Sequence, residues 1–220
     1  MNEIETQGFV ILTGVIDPST REELLDELGA VSGAGRRGLL SSPMVARFAG
    51  SDPLMRVVRP HFVTEPRPVR GIFFDKSLES NWLVPWHQDL TVALQDRVDH
   101  EGFGPWSEKD GIIHARAPTE LLEKMLTVRI HLDDADATNG ALRVLPGTHR
   151  LGRLSGQQIQ SLRSRISDHF CSAAAGDALL MRPLLLHASG RSASGGHRRI
   201  LHLEYAGFEL PQGLEWHEAA

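Results

Sequence analysis

His87 and Asp89 stand two residues apart in Trp86-His87-Gln88-Asp89-Leu90, with strand-favouring residues on either side. Positions i and i+2 of a strand share a face, so the imidazole and the carboxylate project together and Gln88 projects away. These two groups meeting at one point make two-thirds of a metal site. The third ligand is expected from far along the chain, where His187 follows the apolar run Leu184-Leu185-Leu186. A polar residue in such a run needs a partner to be buried. Two histidines and one carboxylate on one face of an iron, with the opposite face open, form the ligand set of the non-haem Fe(II) oxygenases. The alternative for the same residues is a buried histidine bonded to a nearby carboxylate.

Arg198 heads a later strand, and its guanidinium can grip a carboxylate through two parallel hydrogen bonds, which a lysine does not reproduce. Ser189 shares the face of His187 and can add a hydroxyl to that grip. A metal with a carboxylate anchor beside it is what 2-oxoglutarate requires. Arg199 is a rival anchor, but its parity puts it on the opposite face with Leu201 and Leu203. His202 shares the face of Arg198, which makes it a candidate substrate contact.

The elements that must position these groups follow from hydrophobic pattern and turn chemistry. The 220 residues suit one domain, and 41% of them are hydrophobic, enough for a sizeable core. The net charge of −5 suggests neither a nucleic acid nor an anionic membrane as partner. A single cysteine, Cys171, excludes an internal disulfide and fits a reducing compartment. No secretory signal and no long apolar run are visible, so a soluble, cytoplasmic protein is expected.

Residues 8–13 read as a buried strand, and Leu24, Leu25, Leu28 and Val31 mark one stripe of a helix begun by Asp17-Pro18. The glycine-rich basic stretch 32–38 reads as a surface connection or a loop closing over an anion. Short helices are expected over 43–48 and 53–59, giving a helical part over about 17–60. Strands are expected within 69–74 and 83–94, and the irregular stretch 99–118, which contains Trp106, reads as a loop covering the substrate or as a packed surface loop. Leu126, Val128, Ile130 and Leu132 alternate with Thr127, Arg129 and His131, so one face is apolar and the other polar. Strands at 141–145, 178–181, 184–188 and 198–206 and a helix over 155–170 complete the chain. Helices first and short strands afterwards argue for a β-barrel or double-sheet jelly roll with helices outside, its β core spanning about 67–207.

With these motifs in hand, the sequence resembles the phytanoyl-CoA dioxygenase family of Fe(II)/2-oxoglutarate oxygenases. The resemblance runs from about Gly8 to Tyr205. It rests on residues 86–90, on the run from Asn139-Gly140-Ala141 to Pro146-Gly147-Thr148-His149, on Gly176-Asp177-Ala178-Leu179-Leu180, and on His187 through Arg198. It implies a mainly β fold with flanking helices and a cupin-like double-stranded β-helix core. It implies iron held by His87, Asp89 and His187, and 2-oxoglutarate held by Arg198 with Ser189. Arg129 stands where relatives often carry an aromatic residue, and can contact 2-oxoglutarate or an anionic substrate, or form a structural ion pair. The implied reaction consumes O2 and 2-oxoglutarate, releases succinate and CO2, and hydroxylates a small molecule. Asp89 favours hydroxylation, because relatives that halogenate have lost this carboxylate. The alternatives are a cupin-like metalloprotein that does not use 2-oxoglutarate and a non-catalytic binding module. Trp86 or Gln88 is the expected outer partner of the ligands, and His149 is expected to be structural.

Overall fold

The computed structural model describes residues 3–30, 33 and 35–220. In chain order its strands are β1 (Phe9–Leu12), β2 (Gly35–Arg37), β3 (Arg67–Lys76), β4 (Val84–His87), β5 (Thr91–Leu94), β6 (Trp106–Lys109), β7 (Ile112–Arg116), β8 (Met125–His131), β9 (Leu142–Val144), β10 (His169–Phe170), β11 (Ala178–Met181), β12 (His187–Ser189) and β13 (Arg198–Ala206). They pair antiparallel in three sheets, ordered β1-β11-β8-β13-β3-β2, β10-β9-β12-β4 and β5-β7-β6. The mainly β architecture with few helices is that of a cupin-like jelly roll.

The six-stranded sheet has two unlike faces, and the alternation in β8 sets them. Leu126, Val128 and Ile130 point one way with Leu201, Leu203 and Tyr205 of β13 and Phe73 of β3. Three helices cover that face: α2 (Pro18–Leu28), α3 (Pro43–Ala49) and α4 (Asp52–Val58). The Asp17 carboxylate caps α2 by accepting from Thr20 N–H at 2.9 Å, and Tyr205 donates its hydroxyl to Ala49 O at 2.9 Å, tying sheet to helix. α1 (Glu3–Gln7), α5 (Thr119–Leu122) and α6 (Gly156–Arg163) are shorter additions. Among the described residues no helix is long and apolar enough to cross a membrane.

The opposite face carries the polar members of the same alternation. Register sets Lys76 against Arg198, Phe74 against Ile200, Ile72 against His202 and Arg70 against Glu204, with Arg129 on the other side of His202. At the β1–β11 end this face is apolar, and Phe9, Leu179 and Met181 close onto Leu142, Val144, Cys171 and Leu185. The sheet therefore has a sealed apolar end and an open polar end.

Several segments differ from the sequence expectation. Residues 83–94 hold two strands in different sheets, because the chain leaves β4 after His87 and enters β5 at Thr91. Residues 99–118 are irregular only at their ends: β6 and β7 form a hairpin over 106–116 whose turn residues, Asp110 and Gly111, have φ of 54° and 76°. A two-residue turn with both φ positive matches the twist of the flanking strands. Of the stretch 32–38, residues 32 and 34 lie outside the described residues, and Gly35–Arg37 is an edge strand paired with β3. Val31 of the α2 stripe also lies outside them. Residues 182–185 form a turn, closed by Leu185 N–H donating to Arg182 O, so the strand begins only at His187. The helix expected over 155–170 ends at Arg163.

Candidate functional site

His87 and His187 are directly opposite each other in the β4–β12 pairing, and their ring centroids are 4.2 Å apart. Asp89 reaches them from just beyond β4, where its N–H donates to Pro183 O at 2.9 Å. Gln88 turns the other way, as strand parity requires. Its amide donates to Gly152 O at 2.9 Å and Leu184 O at 2.7 Å, and its carbonyl accepts from Leu154 N–H at 2.8 Å. The side chain between the two candidate ligands thus pins the segment that carries them.

Both imidazoles have their tautomer set by backbone. His87 Nδ1 donates to Pro85 O and His187 Nδ1 to Leu185 O, each at 2.8 Å. A carbonyl only accepts, so each Nδ1 carries a proton and Nε2 is the ring nitrogen left to bind a metal. These Nε2 atoms lie 3.7 and 3.6 Å from the two Asp89 carboxylate oxygens. One ligand atom from each residue lies within 4.8 Å of the others, a grouping that can hold a metal ion. Burial, partly offset by Asp89, pushes His187 down to about 4. Burial alone would raise the Asp89 carboxyl, but His187 and His87, then His202 and Arg70, outweigh it and hold it at about 2. The donor set of two imidazole nitrogens and a carboxylate, with orienting hydrogen bonds on the far ring nitrogens, suits a divalent transition metal.

Arg198 forms a second feature beside this trio. It is 3% exposed, its Nε is buried without a hydrogen-bond partner, and among the described residues no carboxylate pairs with it. Burial, then Arg129, push it down to about 10. Its cross-strand partner Lys76 is fully buried and donates to Ser189 Oγ at 2.8 Å and Gly190 O at 2.6 Å, with Nζ 5.0 Å from the Trp82 ring centre. Two buried cations side by side without a counter-charge cost several kcal/mol unless an anion joins them. Ser189 gives its proton to Gly140 O at 2.8 Å and accepts from Lys76, so it positions the lysine. Gly140 makes this close approach possible: its φ is 76°, and a Cβ there would lie 2.5 Å from Gly190 O.

A chain of buried polar groups runs along the same face. Arg129 Nη1 donates to His202 Nδ1 at 2.9 Å, and His202 Nε2 donates to Glu204 Oε1 at 3.1 Å. Glu204 also accepts from Arg70 Nη1 at 3.1 Å. Arg70 Nη2 donates to His114 Nε2 at 3.0 Å, and His114 Nδ1 donates to Ile112 O at 2.8 Å. Every link has one possible donor, which makes both histidines neutral and fixes their tautomers. Among the described residues Arg129 therefore has no ion-pair partner; its guanidinium lies over the Phe74 ring and borders the open space.

The trio, Arg198, Arg129 and Glu204 line one cavity of about 340 Å³, in the size range of small-molecule sites. Six cationic side chains and two carboxylates face it, with Ile72, Phe74, Val84, Leu90 and Leu142 supplying apolar wall. His87, Asp89, His187, Ser189, Arg198, Arg129 and His202 are thus brought together. Trp106 is not: it packs against the core that includes Val92, Phe103 and Trp216. Arg199 points away and pairs with Asp133 through two hydrogen bonds of 2.7 Å. Trp86 instead has its ring beneath Arg143 and Arg163. His149 is buried against Glu5 O, and burial pushes the Cys171 thiol up to about 12, as suits packed residues. Sequence reasoning missed Lys76, Arg70, Glu204 and His114. Glu204 was accessible by parity with His202, whereas Lys76 and Arg70 required the β3–β13 register.

The family model for phytanoyl-CoA dioxygenase (PhyH) matches residues 4–200, and the chain belongs to that family. A search of curated proteins finds no significant match. Among solved structures, AviO1 from Streptomyces viridochromogenes Tue57 superposes with a TM-score of 0.66 at 20% identity, over 95% of this chain and 94% of that one. HygX from Streptomyces hygroscopicus, with nickel and 2-oxoglutarate bound, gives 0.62 at 22% identity, over 92% and 83%. The epimerase SnoN, in complex with Fe3+, alpha ketoglutarate and nogalamycin RO, gives 0.68 at 16% identity, over 93% and 80%. At these identities the likeness is one of fold.

Proposed function

We propose that the protein is an Fe(II)- and 2-oxoglutarate-dependent dioxygenase that hydroxylates a C–H bond of a small molecule. The observation that carries this reading is the adjacency of two unlike features. Three ligand-competent atoms converge at one point, and a buried, unneutralised arginine stands in the same cavity. A metal trio alone fits many chemistries; a carboxylate-sized cation beside it fits an α-keto acid.

In this reading His87, Asp89 and His187 hold the iron through two Nε2 atoms and a carboxylate oxygen. Arg198 takes the distal carboxylate of 2-oxoglutarate through its fork, and Lys76 and Arg129 add positive charge from either side. Iron bound there supplies the activation of O2, with 2-oxoglutarate oxidised to succinate and CO2 and one oxygen atom delivered to the substrate carbon. The protein's own work is positional. Pro85 O and Leu185 O fix the tautomer and aim of both imidazoles, and Gln88 fixes the segment between them. Ile72, Phe74 and Leu142 exclude water from the reacting centre. A metalloprotein of the same fold that ignored 2-oxoglutarate would have no use for the Arg198–Lys76 pair. The description of SnoN as an epimerase makes inversion at a carbon a second outcome to assay on any substrate found.

The test needs no substrate. Anaerobic metal-free protein is titrated with Fe(II) and then with 2-oxoglutarate, following the visible charge-transfer band of the chelate. The band is expected in the native protein and absent in Asp89→Ala. Iron binding without a band removes the 2-oxoglutarate reading; no iron binding removes the enzyme reading.

A further inference from the structure

The cavity has two cationic ends, and 2-oxoglutarate accounts for only one. On β3 the inward residues run from Arg70 to Lys76, and on β13 from Glu204 to Arg198. At about 3.3 Å per residue the two ends of these rows lie roughly 20 Å apart. A five-carbon acid anchored on Arg198 does not reach the far end.

That far end is built by β2 and the β6–β7 hairpin. Lys109 and Arg116 of the hairpin and Arg37 of β2 line the cavity beside Arg70. Among the described residues, the side chains of Lys109 and Arg116 have neither an ion pair nor a hydrogen bond. Arg37 pairs with Asp110 at the hairpin turn, yet its Nε is buried without a partner. Arg70 is compensated by Glu204. Burial, then Arg70 and Arg37, push the Lys109 ammonium below its ordinary value, so the cations repel one another as they stand. This concentration of positive charge sits in a chain whose net charge is −5.

We propose that the substrate oxidised at this site is an anion, whose carboxylate or phosphate group is held at the hairpin end of the cavity by Lys109, Arg116 and Arg37. This rests on the oxygenase reading for the word substrate, but not for the site itself. The molecule then lies between two charged ends, its oxyanion on the hairpin and its reacting carbon toward Asp89. Neutral molecules of the same shape bind more weakly, because they gain no charge-assisted hydrogen bonds from these cations. The hairpin is thereby a specificity element, and its charges select substrates that the metal centre cannot distinguish.

Inorganic phosphate and acetate serve as probes, one for each oxyanion. Protein loaded anaerobically with Fe(II) and saturating 2-oxoglutarate is titrated with each by calorimetry, for the native chain and for Lys109→Met/Arg116→Gln. At least one probe is expected to bind the native protein, with a Kd that rises tenfold or more in the double variant and also rises with salt. The tighter probe identifies the group. Retention of the 2-oxoglutarate charge-transfer band in the double variant shows that it is folded and that the Arg198 end is untouched. Should the paired change disturb folding, Lys109→Gln alone is expected to raise the Kd at least threefold. Absence of binding by either probe, or equal affinity in native and variant protein, overturns the proposal. If the 2-oxoglutarate band fails to form in the native protein, the oxygenase reading is lost. The same titrations on metal-free protein then judge the anion site separately.

Discussion

Arg198 and Lys76 stand opposite each other in the β13–β3 register, both buried, and among the described residues neither has a carboxylate partner. Each is a cation placed where water cannot solvate it. Burial, then Arg198 and Arg129, push the Lys76 ammonium down from its ordinary 10.5 to about 7. An incoming dianion reverses this, because it favours the charged lysine.

The affinity for 2-oxoglutarate therefore depends on pH. Below pH 7 Lys76 is charged before binding; above it, binding must draw a proton onto the lysine, and affinity falls by up to about tenfold per pH unit. In anaerobic titrations between pH 6.5 and 9 the Kd should rise with pH in the native protein. In Lys76→Met it should start weaker and stay flat. The same slope in both proteins would remove Lys76 from the site.

Arg198→Gln should weaken 2-oxoglutarate by about 100-fold, the worth of two charge-assisted hydrogen bonds, while leaving Fe(II) stoichiometry unchanged. Arg198→Lys should recover little, since an ammonium lacks the planar fork. Full recovery by lysine would mean that only charge is read there.

The metal-free protein should lose stability in mild acid. Burial is the first cause that pushes His114, His131 and His187 from 6.5 to about 4. The folded state keeps them neutral, whereas the unfolded chain takes up protons once pH falls below 6.5. Their contribution is complete above pH 6.5 and is lost progressively down to about 4, roughly 3 kcal/mol for each. Thermal unfolding of metal-free protein should show Tm falling across that window. A level Tm from pH 7 to 4.5 would mean these imidazoles are not held neutral.

Gly140→Ala tests the turn that supports the cationic end. With φ at 76° and Gly190 O 2.5 Å from the added Cβ, the change should cost more than about 1 kcal/mol. Because Gly140 O and Gly190 O hold Ser189 and Lys76, the Kd for 2-oxoglutarate should rise as well. An unchanged Tm with unchanged affinity would show that the loop relaxes freely.

Local periodicity exposed what depends on one strand. The alternation of Leu126, Val128 and Ile130 with Thr127 and Arg129 revealed the two-faced sheet, and the i, i+2 spacing aligned His87 with Asp89. What escaped depends on pairing between strands. Lys76 is unremarkable at the end of Phe73-Phe74-Asp75-Lys76 until the register sets it against Arg198. The 99–118 stretch looked irregular because its glycines and prolines outweighed a four-residue strand, although Asp110-Gly111 is a hairpin signal. Trp106 suggested a ligand contact by type alone, and packing claimed it for the core.

Three histidines at the site, His87, His114 and His187, each give their Nδ1 proton to the carbonyl two residues before them. Main-chain carbonyls belong to every residue type, so mutation of Pro85, Ile112 or Leu185 leaves the orienting group in place. Substitution can drift through the surroundings of the site without unsettling the orientation of its imidazoles. Chains with only about a fifth of their residues in common can then keep the same fold, and selection is left to act on the walls of the cavity.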